Sequence, residues 1–162
     1  MFTFTGWGVL VFFDTEEHQI ADYGEEVILA QIPRLGAQWK IIFDAKFEGI
    51  EDAWMLEAGE ENGVMFVLRF NTSKISLTMQ DEGELRISME SDHTANFAEW
   101  TRIEMTHEEE EDGKYFLFMS VEGKVVGKEE VAIPRKMELA DVHVSSYGYG
   151  GGILRRLVVL EK

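Results

Sequence analysis

The chain has no cysteine, only two prolines, and about half as many basic as acidic residues: 15 Lys+Arg against 31 Asp+Glu in 162 residues, a formal net charge of −16. Each shortage excludes something. Without cysteine there is no disulfide scaffold, no thiolate metal site and no cysteine nucleophile. The acidic excess repels phosphate backbones and anionic lipid, so a nucleic-acid partner is not expected. No apolar run is long enough to cross a bilayer as a helix, so membrane insertion is not expected either. The most apolar stretch, MFTFTGWGVLVFF at 1–13, lacks the basic start and small-residue cleavage site of a secretory leader and reads as a strand. Long segments of helical period are also missing.

What is present is short alternation, punctuated by 15 glycines, with a hydrophobic content of 45% that suffices for one core. In QWKIIFDAKFEG, Trp39, Ile41, Phe43, Ala45 and Phe47 fall on one face. Lys40, Asp44, Lys46 and Glu48 fall on the other, with Ile42 the one apolar intruder. A period of two means a half-buried strand. The runs 64–70 and 74–80 flank Asn71-Thr72-Ser73, a polar trio suited to a hairpin loop, and Asp81-Glu82-Gly83 turns the chain into 84–90. Residues 100–107 and 115–122 form the next pair. Asp112-Gly113 between them accepts positive φ, and Glu122-Gly123 turns into 124–126. A terminal strand, ILRRLVVLEK, closes the chain. The stretches TEEHQIADYG (15–24) and PRKMELA (134–140) read as brief helical turns. About eleven or twelve short strands without crossover helices predict one all-β domain over 1–162, a two-sheet antiparallel β-sandwich.

Several motifs in the second half go further. Trp100-x-x-Ile103, Tyr115-x-Leu117 with Glu122-Gly123, Val142-x-Val144-x-Ser146 and Gly152-Ile153-Leu154-x-x-Leu157 occur in that order. Together with IPRLGAQWKIIFDAKF upstream, this half resembles the closing half of concanavalin A-like jelly rolls, the fold of laminin-G-like modules, pentraxins and legume lectins. The resemblance implies a lectin-like, carbohydrate-binding module, often with calcium at a loop, and leans towards an extracellular setting. Zero cysteines also allow a reducing compartment. Departures are visible too. There is no cysteine pair, no Glu-x-Asp-x-x-Glu strand of the related glucanases, no His-x-Asn-Pro-Arg of galectins and no Asp-rich legume metal loop.

Candidate site residues follow from side-chain chemistry. Tyr147 and Tyr149 in SSYGYGGG, and Trp54 among acids in EDAWMLEAGEE, offer flat rings for stacking on a sugar. Asn71 and His143 could fix its hydroxyls. The other tryptophans, Trp7, Trp39 and Trp100, read as core. Calcium wants six to eight oxygens, and Glu109, Glu111 and Asp112 in the run EEEED are the expected ligands, although no Asp-x-Asp-x-Asp-Gly spacing occurs. Four scattered histidines, His18, His93, His107 and His143, show no zinc spacing. Arg155-Arg156 is a local basic spot, with one arginine expected to pair with an acid. The reading is a non-enzymatic binder of a carbohydrate or similar polar ligand, with a calcium site. The alternatives are a structural or protein-interaction module that self-associates, as a homodimer, through a sheet face; a glycan-cleaving enzyme of the same fold; and a binder of a hydrophobic small molecule or pigment.

Overall fold

The computed structural model describes residues 6–12, 18–20, 26–47, 53–60, 62–71, 73–146 and 152–162. Among these there is no helix, and so none to cross a membrane. The strands are β1 (Gly8–Phe12), β2 (His18–Ile20), β3 (Glu26–Leu35), β4 (Trp39–Phe47), β5 (Ala53–Gly59), β6 (Val64–Asn71) and β7 (Lys74–Asp81). They continue as β8 (Glu84–Asp92), β9 (Thr101–Glu109), β10 (Tyr115–Val121), β11 (Lys124–Val131), β12 (Met137–Ser146) and β13 (Gly152–Glu161). The seven-stranded sheet runs β1-β13-β4-β9-β10-β11, with β2 also on β13; the six-stranded sheet runs β3-β12-β5-β6-β7-β8. All pairings are antiparallel.

The thirteen strands among the described residues exceed the eleven or twelve expected, and both stretches read as helical turns contain strand. His18–Ile20 pairs with β13, and Met137 opens β12, which is inserted between β3 and β5. Long-range pairing on both sides overrides a local helical preference. The hairpins behave as their turn residues dictate. Glu82-Gly83 and Glu122-Gly123 all take positive φ, the two-residue type I′ geometry that matches strand twist. At Asp112-Gly113 only Gly113 does, at φ +79°. Gly59 has a stricter reason: a Cβ there would lie 2.2 Å from the Val64 carbonyl oxygen.

The alternation in β4 separates core from surface much as expected. Trp39, Ile41, Phe43 and Ala45 are wholly buried. The two sheets meet through aromatic contacts, with Trp39 edge-on to Phe66 at 4.7 Å and Phe43 against Phe70 at 5.6 Å. Burying side chains of this size stabilises the fold by roughly 1.5–3 kcal/mol each. Trp7 and Trp100 depart from the core reading and are half-buried just before strand starts, Trp7 under Lys40 and Lys162 and Trp100 under Arg155. His107, on the core face of β9, is fully buried between Trp39, Phe66 and Tyr115. Its Nδ1–H donates to the Ala37 carbonyl, and its Nε2 has no partner. Burial pushes its pKa below the ordinary value, against a smaller opposing effect of that carbonyl.

Candidate functional site

Asp44 was expected on the solvated face of β4. It is on that face, yet it is only 5% exposed. The register explains why. Asp44 lies opposite Arg102 on β9 and opposite Arg155 on β13, so both neighbouring strands lay an arginine over it. Arg102 Nε donates to Asp44 Oδ1 at 3.2 Å, Arg155 Nε stands 3.7 Å from Oδ2, and Arg156 Nη1 reaches Oδ2 at 3.5 Å.

Two consecutive residues of a regular strand point to opposite faces, so Arg155 and Arg156 should not share a partner. A β-bulge makes it possible. Arg155 pairs with Asp44 and Val158 with Ile42, so β13 holds one residue more than β4 between those pairs. Within the bulge Arg156 adopts φ +53°, a left-handed backbone that costs a residue with a Cβ roughly 1–2 kcal/mol. Bulges re-aim side chains in this way. One arginine was expected to pair with an acid; both do, and with the same one.

Trp100 completes the group. Its position comes from the 93–100 segment, which Phe97 anchors by burying its ring against Phe70 and His93. Asn96 then turns the chain: its carbonyl accepts the Glu99 amide and its Oδ1 the Ala98 amide. The Arg155 guanidinium stacks 3.7 Å from the centre of the Trp100 ring, a cation–π contact that braces both groups. From the β10–β11 turn, Glu122 Oε1 accepts the Arg102 backbone amide at 2.6 Å. Asp44, Trp100, Arg102, Glu122, Gly123, Arg155 and Arg156 surround an open concavity of about 400 Å³. It combines an aromatic ring, forked donors and carboxylate acceptors. Asp44 faces three guanidiniums, and Glu122 Oε1 is taken by the Arg102 amide.

The residues singled out in the sequence fall elsewhere. Tyr147 and Tyr149 lie outside the described residues, as do the side chains of Trp54 and His143. The backbones of Trp54 and His143 are placed on β5 and β12, where Trp54 pairs with Ser146 and His143 with Glu57. Asn71 serves the β6–β7 hairpin, its Oδ1 accepting the Ser73 and Lys74 amides at 3.0 and 2.8 Å. Its carbonyl bonds His93 Nε2. The ends of β4, β6 and β12 and the starts of β5, β9 and β13 all lie at one end of the sandwich, the end that carries Trp100.

The acidic run does not converge. The Glu109 carboxylate accepts from the Tyr115 hydroxyl, Glu110 pairs with Lys128 at 2.7 Å, and Asp112 accepts the Lys114 amide at 3.1 Å. Partial burial, with Glu109 beside it, raises the Tyr115 pKa above its ordinary value. Among the described residues no group of three or more His, Asp or Glu side chains is arranged to hold a metal ion, Glu109, Glu111 and Asp112 included. Sequence reasoning missed Asp44, Trp100 and Arg102. It noticed the arginine doublet without its meaning: Leu154 and Leu157 are both buried, a spacing of three that a regular strand cannot give.

No family model matches the chain, and no curated protein matches its sequence. Solved structures do resemble it. The carbohydrate-binding module CBM66 from Bacillus subtilis superposes with a TM-score of 0.62 over 94% of this chain and 93% of that one, at 10% identity. The receptor binding domain of botulinum neurotoxin D gives 0.66 at 13% identity, over 96% of this chain but 44% of that one. A SAP-like pentraxin from Limulus polyphemus gives 0.59 at 9% identity, over 88% and 74%. The likeness is one of fold. These neighbours are jelly-roll sandwiches, and this chain is an all-β sandwich of the same type.

Proposed function

We propose that this chain is a non-enzymatic carbohydrate-binding module, one concanavalin A-like jelly-roll domain over 1–162, and that it takes its ligand at the Trp100–Arg155 concavity. The observation that carries the reading is the braced indole beside a fence of arginine donors and carboxylate acceptors. Sugars present apolar C–H faces and rings of hydroxyls, so their recognition needs a flat aromatic surface with polar groups of both kinds at its edge. Supporting it, one of the jelly-roll neighbours matched nearly end to end is itself a carbohydrate-binding module. Trp54, Tyr147, Tyr149, Asn71 and His143 are the further residues through which, on this reading, a longer saccharide is followed. Binding to a glycan array, repeated with Trp100→Ala, tests the reading. The wild-type chain retains a defined set of saccharides and the variant loses them while staying folded; an array blank for the wild-type chain removes the proposal.

A further inference from the structure

The charge around Trp100 runs against the rest of the molecule. In a chain with a net charge of −16, three of its 15 Lys+Arg stand around a single buried carboxylate. Elsewhere Lys40–Glu104, Lys74–Glu90, Lys114–Glu130 and Lys128–Glu110 each set one base against one acid. Among the described residues, three guanidiniums and the carboxylates of Asp44 and Glu122 line the concavity.

Two of these guanidiniums, those of Arg155 and Arg156, are loosely held. Arg155 and Arg156 share Oδ2 at 3.7 and 3.5 Å, longer than a good N–H···O bond, and Arg155 Nε has no hydrogen-bond partner. Each guanidinium presents a rigid fork of donors suited to a planar or tetrahedral oxyanion. The fold bears a strained residue at Arg156 to bring the second fork to this face, where a glycine would meet the backbone geometry without strain. Strain kept at a charged side chain on an open concavity marks a task for that side chain. Resting on the carbohydrate reading, we infer that the ligand is an acidic saccharide, its carboxylate or sulfate ester held by Arg155 and Arg156 while Trp100 stacks on the sugar ring.

The experiment titrates the full chain with a neutral glucose oligomer, a glucuronate-bearing counterpart, its sulfate ester and inorganic sulfate. Affinity is read by calorimetry and position by the Trp100 indole N–H resonance. The charged oligomers bind at least about tenfold more tightly than the neutral one. Arg156→Gly removes that preference with Tm held or raised, and Arg155→Gln removes it with the bulge residue intact. Equal affinity for neutral and charged oligomers, or a preference that survives both substitutions, overturns the acidic ligand and leaves the carbohydrate reading standing. Silence towards every oligomer overturns both, and inorganic sulfate binding as tightly as the sulfated oligomer overturns the saccharide half of the inference.

Discussion

Two charged clusters share the seven-stranded sheet, and they could hardly differ more. The acidic run between β9 and β10 is dense in the sequence and dispersed in space. Its carboxylates turn to a neighbouring lysine, a tyrosine hydroxyl and a backbone amide. The cluster at Asp44 is invisible in the sequence and dense in space, because Asp44 meets Arg102 from 58 residues away and Arg156 from 112. Density along the chain therefore measured solvation, and convergence across strands marks the candidate site. A turn of like charges lowers its energy by spreading into water; a buried carboxylate needs partners brought to it.

The largest expected effect tests whether the second cluster also supports the fold. Asp44→Ala leaves three guanidiniums facing one another and lowers stability by about 2–3 kcal/mol in denaturant unfolding. That is less than a fully buried pair would lose, because the arginine heads are partly solvated. A loss below about 0.5 kcal/mol would make the Asp44 cluster as incidental as the acidic turn.

A titratable group outside both clusters, the buried His107, sharpens the comparison. Its folded pKa is depressed, so the unfolded chain binds a proton that the folded chain refuses. Stability is therefore full above about pH 6.5 and falls below it by up to about 1.4 kcal/mol per pH unit, ahead of the carboxylate range. Denaturant midpoints between pH 7 and 5 check this, and His107→Phe flattens the slope.

Arg156→Gly gives an effect of opposite sign. Relief of the left-handed backbone raises stability by about 1 kcal/mol even though an ion pair is lost, since a partly exposed pair contributes less than that. A fall in Tm would mean that the pairing with Asp44, and not ligand binding, is what holds Arg156 in its strained conformation. The smallest effects belong to the acidic turn. Glu111→Gln and Asp112→Asn each change stability by less than about 0.5 kcal/mol, and calcium or a chelator leaves Tm where it was.

Much of the fold was legible because strand alternation and turn chemistry are local. The run 64–70 became Val64–Asn71, 74–80 became Lys74–Asp81, and the Glu-Gly pairs took the positive φ that two-residue hairpins demand. PRKMELA was misread because Met137 and its successors answer to β3 and β5, which a local window cannot see. Less of the site could be read. Aromatic rings in glycine-rich or acidic loops attracted attention, whereas Trp100 looked like one more strand-leading core residue. The break in alternation at Leu154-Arg155-Arg156-Leu157 was there to be read as a bulge.

The sequence by itself determined where the chain extends, where it turns and which faces are apolar, since a side-chain period of two and the φ tolerance of glycine act within a few residues. Only the tertiary structure decided which charges meet. That depends on the register of β4 between β9 and β13 and on one extra residue in β13, and a register shifted by a single residue would have sent every one of those side chains to the opposite face.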